Sequence, residues 1–511
     1  MAVGEDVNQP IGKRDLLHLA ILLMLALVIG TYLIATTVLI SSDGVFYIKQ
    51  AQKFAEQPEQ VIQGKPFGYP FLIFVAHRAV GTLFGGGSVQ SWIYAAQSVN
   101  LMCRMLALVS LYFLGRLFVG ARESFLAILI LVFLPYPAEF GSDVLRDWPH
   151  LLFLVTGFLL LVLGSRKGKW WLFGVVGLVA GLGYIIRPEC AQLIIYGMLW
   201  LPVRVLRPKR GMSRAASIGA LLLLLVGFAV PMIPYMVAGG RVPPAKLKRI
   251  IKSGDQAHSQ SPDERHEETL SEMWAQTGPT GSVIAAVRRL IGQVSGDLMH
   301  YFMPALMVGI YLRFRKKSAL TVEERFFIPV FATFNVALMV LLHCSYGYVS
   351  MRHCLPLVAI TIFYVPEGLR TIADLLWGLV SRLWGKSPVK GSTVVSLFHI
   401  MLVSGLVICV AKLSHPLRIE KQGYRDAANW LKKNTSESDI IAVTDWRITF
   451  YAGRKGSPCV ERILKRASFA LKVMGDENEE PNLRRVARKM YSVPVNQREK
   501  RGKRIVIYKL L

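Results

Sequence analysis

Five short segments of the 511-residue chain supply acids and cations. Asp43 lies in SSDGVFY and Lys65 in GKPFGYP. The stretch EFGSDVLRDWPH carries Glu139, Asp143, Arg146, Asp147 and His150. IIRPE supplies Arg187 and Glu189, and SYGYVSMRHCLP supplies Arg352 and His353. A carboxylate can take the proton of an attacking hydroxyl or amine. Guanidinium and ammonium groups can grip a phosphate and stabilise charge that grows on it as it leaves. Moving a sugar off a lipid phosphate needs both functions. Taken singly, each group also fits a solvated helix end, and Asp43 fits the N-cap of a helix starting near Val45.

The elements that position these groups are apolar. Hydrophobic residues make up 53% of the chain and charged residues 18%, against about 25% charged in soluble domains. The apolar residues fall into blocks near 16–40, 96–114, 123–138, 149–164, 170–186, 190–203, 216–238, 298–312, 325–343, 354–370 and 393–411. Helices of that length cross a hydrocarbon core of about 30 Å. The expectation is an α-helical polytopic membrane protein with about eleven transmembrane helices. The first block is too long for a signal-peptide core and lacks a small-residue cleavage site, so it reads as a retained span.

Alternate short loops are basic: Arg116 and Arg122; Arg166, Lys167 and Lys169; Arg204 to Arg214; Arg313 to Lys317; Arg382, Lys386 and Lys390. Such loops mark the cytoplasmic side. The amino terminus is then expected inside, and the five acid–cation segments all fall on the outer face. The net charge of +27 is read as topogenic, with the remainder in the tail facing lipid headgroups. No nucleic-acid-binding motif accompanies it. The six cysteines are scattered, and Cys344 and Cys354 flank one outward loop where they either bridge or stay free.

Three outer segments are expected. The first loop, about 41–95, holds an amphipathic helix with Val45, Ile48, Ala51 and Phe54 on one face, suited either to the membrane surface or to a simple connection. FGYPFLIFVAHRAVGTLF, broken by Pro70, reads as re-entrant or interfacial. The second loop, about 239–297, is either a lid or a spacer. Residues 412–511 read as a small α/β extracytoplasmic domain, with YRDAANWLKKN and RRVARKMY helical and DIIAVTD and RIVIYKLL as strands.

In order and spacing, these segments resemble integral-membrane glycosyltransferases of the GT-C fold, in the group of protein O-mannosyltransferases and the lipid A aminoarabinose transferase. SSDGVFYIKQAQKF is similar to the family's first-loop Asp–Tyr pattern. GKPFGYPFLIF is similar to its Lys/His-Pro-Pro-Leu-Tyr stretch, GLGYIIRPE to its Arg-Pro-Glu segment and SMRHCLPL to its Arg-Tyr-x-x-Pro motif. The resemblance implies a GT-C-like transmembrane domain over 1–411 and an outer domain over 412–511. It further implies an inverting transferase in a bacterial inner membrane, facing the periplasm or outside. The donor would be a polyprenyl-phosphate sugar and the acceptor a lipid, glycan or protein. Asp43 and Asp147 become the catalytic acids; Lys65, Arg146, Arg187, Arg352 and His353 become phosphate or substrate contacts. Gly44 stands where many relatives have a second acid. No organic cofactor is expected; Asp43, Asp143, Asp147 and His150 are the hard donors that a divalent ion would use. The competing readings are a flippase of lipid-linked glycans, a surface-polysaccharide polymerase or ligase, and a non-catalytic protein of the same fold.

Overall fold

The structure is a computed structural model. It describes residues 11–63, 66–80, 86–206, 212–239, 283–315, 320–383, 392–458, 467–474, 487–497 and 502–510. Lys65 and most of the expected second outer loop lie outside these residues.

Two helices, α1 (Lys13–Thr36) and α5 (Val89–Val119), frame the first long inter-span segment. Between them lie α2 (Ser42–Lys53), α3 (Pro58–Gln63) and α4 (Gly68–Val80). Next come α6 (Ala121–Phe133), α7 (Pro135–Phe140), α8 (Asp147–Lys167), α9 (Leu172–Ile186), α10 (Gln192–Leu206) and α11 (Arg214–Gly239). After α11 the described helices continue with α12 (Val283–Asp297), α13 (Met303–Arg315), α14 (Val322–Tyr346), α15 (Met351–Thr361), α16 (Val365–Leu383) and α17 (Ser392–Leu413). Every apolar block carries a helix. Among the described residues seven helical segments are long and apolar enough to cross a membrane, and α9 and 397–413 are shorter apolar helices. The chain is an integral membrane protein.

Helices α9 and α11 show how the spans pack. A Cβ on Gly177 would lie 2.1 Å from the Leu224 carbonyl oxygen, and one on Gly227 would lie 2.2 Å from that of Gly174. Only glycine permits this approach, the usual way helices associate in lipid. The contact fixes the end of α9, where Arg187 projects.

Polar side chains on α5 organise the segment before α8. Gln97 donates to the Ser142 carbonyl at 2.9 Å, and Asn100 donates to the carbonyls of Phe140 and Asp143. Arg104, fully buried in the middle of α5, donates to the Val132 carbonyl at 2.8 Å. That carbonyl sits where Pro135 and Pro137 interrupt α6, so the guanidinium supplies what the broken helix lacks.

The carboxy-terminal region folds as a five-stranded sheet, in the order β2-β1-β3-β5-β4. The strands are β1 (Ile440–Val443), β2 (Lys455–Pro458), β3 (Phe469–Met474), β4 (Ala487–Pro494) and β5 (Arg504–Leu510). Helices α18 (Gln422–Asn434) and α19 (Trp446–Ala452) bury Ala427, Leu431 and Ile448 against Ile441, Leu471 and Ile507. YRDAANWLKKN, DIIAVTD and RIVIYKLL adopt the expected elements. RRVARKMY does not: from Ala487 it is strand, paired antiparallel with β5. Pairing with an established strand overrides local helix propensity, and Arg488 and Lys489 suit an edge strand, whose charges discourage further pairing.

Two readings left open by the sequence are decided. The apolar face of α2 is covered by protein: Val45, Ile48 and Ala51 pack with Ile40, Tyr69, Ile73 and Phe450, so it meets α4 and the carboxy-terminal domain and not lipid. Cys344 and Cys354 are not joined in a disulfide.

Candidate active site

The chain leaves α1 at Thr37 and turns into α2 through Ser41, whose Oγ accepts the Gly44 N–H at 3.1 Å. Ser41 is therefore the cap, and Asp43 is not. Asp43 sits in the first turn of α2 with its side chain 41% exposed. Its Oδ2 is 2.6 Å from Arg352 Nη1, in the first turn of α15.

A second ion pair lies deeper. Asp147 opens α8, and Arg187 follows α9 in extended conformation. Arg187 Nη1 donates to Asp147 Oδ1 at 2.7 Å, and Arg187 Nε is 3.1 Å from Glu189 Oε1. Asp147 and Arg187 are both nearly buried. The neighbouring Trp148 is held by its own Nε1 donating to the Pro137 carbonyl at 2.8 Å, with Arg104 5.7 Å from its ring centre. Arg104 thus reaches the α8 start through Trp148.

Two tyrosines tie the pairs together. Burial raises the Tyr47 phenol above its ordinary value; nearby Arg146 and Arg352 oppose the rise, and Asp43 and Asp147 add to it. All four charges therefore act on one hydroxyl. Tyr69 stacks edge-on against Tyr47 with ring centres 5.1 Å apart. Burial also raises Tyr69, with Asp143 and Asp147 adding to the effect, and its hydroxyl has no partner among the described residues. Residue typing alone gave neither tyrosine a role, although Tyr47 stands in SSDGVFY and Tyr69 in GKPFGYP.

Arg146 differs from the other cations. It precedes α8 as its N-cap, is partly exposed, and makes no side-chain hydrogen bond or ion pair among the described residues. Its charge acts on Tyr47, His150 and Glu189. An unpaired guanidinium beside the positive end of a 21-residue helix is a favourable place for phosphate.

The remaining candidates have separate surroundings. His353 Nδ1 lies 2.9 Å from the Ser350 hydroxyl at the start of α15. Asp143 is buried and pairs with Arg418, while its Oδ1 accepts the Ser41 and Val144 N–H groups at 3.0 and 2.8 Å. It braces the entry to α2. His150 is buried, with both ring nitrogens unpartnered among the described residues. No group of three or more His, Cys, Asp or Glu side chains there converges as a metal-binding set.

The carboxy-terminal domain closes one side. Tyr451 Oη accepts the Ile40 N–H at 3.0 Å, and Lys49 Nζ lies 5.2 Å from the Trp446 ring centre.

Comparisons with known proteins agree with this architecture. Residues 69–234, about a third of the chain, match the family model described as dolichyl-phosphate-mannose-protein mannosyltransferase. That stretch includes Arg146, Asp147 and Arg187 but not Asp43 or Arg352. No curated protein matches the chain in sequence. Among solved structures, ArnT from Cupriavidus metallidurans bound to undecaprenyl phosphate aligns with TM-score 0.54 and 14% identity, over 96% of this chain and 97% of that one. The oligosaccharyltransferase AglB from Archaeoglobus fulgidus, in complex with an inhibitory peptide and a dolichol-phosphate, aligns with TM-score 0.52 and 13% identity, over 86% of this chain. The alignment spans 64% of that protein's length, less than two thirds. The same archaeal enzyme tethered to an acceptor peptide aligns with TM-score 0.53 and 12% identity, over 90% of this chain and 69% of that one. The chain has the fold of the GT-C membrane glycosyltransferases.

Proposed function

We propose that the chain is an inverting glycosyltransferase that moves a sugar from a polyprenyl-phosphate donor to an acceptor at the outer face of a bacterial inner membrane. The observation that carries this reading is the pairing of both candidate acids with arginine, Asp43 with Arg352 and Asp147 with Arg187, beside the unpaired Arg146. The neighbours bound to undecaprenyl phosphate and dolichol-phosphate support the donor class.

The chemistry follows from the charges. Donor phosphate enters beside Arg146 and competes for Arg352, drawing that guanidinium toward itself and freeing an Asp43 oxygen. The acceptor hydroxyl or amine then attacks the anomeric carbon from the face opposite the phosphate. The carbon–phosphate-oxygen bond breaks as the new bond forms, and the configuration inverts. The acceptor proton passes to Asp43, and the electron pair leaves with the lipid phosphate, whose growing charge Arg146 and Arg352 stabilise. Lys65, reached by the chain just before α4, adds a further cation. Asp147 holds Arg187 in place; His353, held by Ser350, is a further substrate contact in this reading.

The test is an assay of isolated membranes with a panel of polyprenyl-phosphate sugars, scored for donor consumption and free lipid phosphate. Turnover of one donor, dependent on Asp43, supports the reading; no turnover of any donor by inserted protein argues against it.

A further inference from the structure

A separate cleft of about 740 Å³ opens at the outer end of α17, between α7 and the link to the carboxy-terminal domain. Its size falls within the range of small-molecule sites, about 300–1,000 Å³. Tyr136, Glu139, Ile408, Lys412 and Arg418 line it. Arg418 is committed elsewhere, to Asp143 and to the Leu39 carbonyl at 2.8 Å. Lys412 meets only a neutral partner: its Nζ donates to Tyr136 Oη at 2.9 Å and lies 4.5 Å from that ring centre. Glu139 has no hydrogen bond or ion pair for its carboxylate among the described residues, although Lys412 acts on it electrostatically. Lys412 and Glu139 thus share a cleft without pairing, with the exposed Glu420 as a second acid in its lining.

The helix that lines one side of the cleft also carries exposed apolar residues. Ile400, Val403, Val407 and Val410 on α17 recur at helical spacing and are 61%, 56%, 60% and 46% exposed. They form a stripe along α17 on a face about 100° round from that of the cleft-lining Ile408, and Ile408 is itself 42% exposed. An amphiphile whose acyl chain lies on this stripe places its headgroup between Lys412 and Glu139.

We propose that this cleft binds a phospholipid with an amine-plus-phosphate headgroup, the phosphate on Lys412 and the ammonium on Glu139. None of Asp43, Arg146, Asp147, Arg187 and Arg352 lines this cleft, so the site is distinct from the donor site and does not depend on the reaction proposed above. Its neighbour Asp143 also braces Ser41, so an occupied cleft stiffens the entry to α2.

The test presents delipidated full-length protein in detergent with equimolar phosphatidylethanolamine, phosphatidylcholine and phosphatidylglycerol of matched chains. Bound lipid is counted by native mass spectrometry. The wild type is expected to retain one phosphatidylethanolamine in preference to both others. Glu139→Gln should lower that preference roughly tenfold, the scale of one lost charge-assisted contact, and Lys412→Met should lower retention of all three. Equal retention of the three lipids by the wild type overturns the proposal without reference to any variant. Displacement of phosphatidylethanolamine by stoichiometric undecaprenyl phosphate also overturns it, since the cleft would then serve the donor.

Discussion

Arg352 Nη1 stands 2.6 Å from Asp43 Oδ2, joining the first turns of α15 and α2 across 309 residues of sequence. The pair is partly open to solvent, with side-chain exposures of 29% and 41%. A charged pair at an open site can exchange partners, and in the proposed reaction donor phosphate competes with Asp43 for the guanidinium. Lysine keeps the charge but loses the planar fork that can serve two oxyanions at once. Arg352→Lys is therefore expected to lower kcat/KM for the donor by at least about tenfold, with insertion and melting temperature unchanged. Steady-state kinetics of the reconstituted protein check this; unchanged donor use would place the phosphate elsewhere.

The Asp147–Arg187 pair behaves differently because it is buried. Removing Arg187 strands the buried Asp147 and also takes the partner of Glu189, at a cost of about 3–5 kcal/mol. Arg187→Met should lower the melting temperature markedly. The double variant Asp147→Asn with Arg187→Met should recover much of that loss, since a buried pair is often replaceable by neutral groups. Thermal unfolding of the four proteins in one detergent gives the cycle, and additive losses would show that the two side chains are not coupled.

Glu139 makes a prediction about pH. Burial raises its carboxyl from the ordinary 4.5 to about 7, against the opposing charges of Lys412 and Arg418 and with the support of Asp143 and Glu420. The folded protein thus binds this proton more tightly than the unfolded chain. Its contribution to stability is fully present below about pH 4.5 and is lost as pH rises through about 7. Glu139→Gln, which stays neutral, should flatten the fall in melting temperature across that window in lipid-free detergent. An identical pH slope in the variant would refute the shift.

Membrane orientation follows from the basic loops. Reporter fusions after Ser213 and after Leu511 are expected on opposite sides, the first cytoplasmic and the second outside. Both reporters on one side would break the common outer face of the proposed site.

Much of this was legible in sequence because bilayer physics is written in long runs. The spans are visible as apolar blocks, and acids at their mouths stand out because charge is costly there. Arg104 escaped notice because a single cation inside an apolar block has no local partner to flag it; its partner, the Val132 carbonyl, is supplied by a helix break 28 residues away. Arg418 was invisible as the partner of Asp143 for the same reason, at a separation of 275 residues. The sequence left open whether Asp43 caps α2; Ser41 does so, and since both residue types serve about equally well only geometry separates them. The strand at Ala487–Pro494 was hidden because its identity comes from β5, not from its own composition.

The central claim is that Asp43 takes the acceptor proton. Ser41 caps α2, so Asp43→Asn leaves the cap intact and keeps a hydrogen-bond acceptor beside Arg352. The variant should insert and bind undecaprenyl-phosphate sugar like the wild type. Single-turnover transfer from preloaded donor should then be slower by about 10²- to 10⁴-fold, the usual loss when a general base is removed. Transfer at a near-normal rate in that single-turnover measurement, where chemistry sets the rate, would contradict the account.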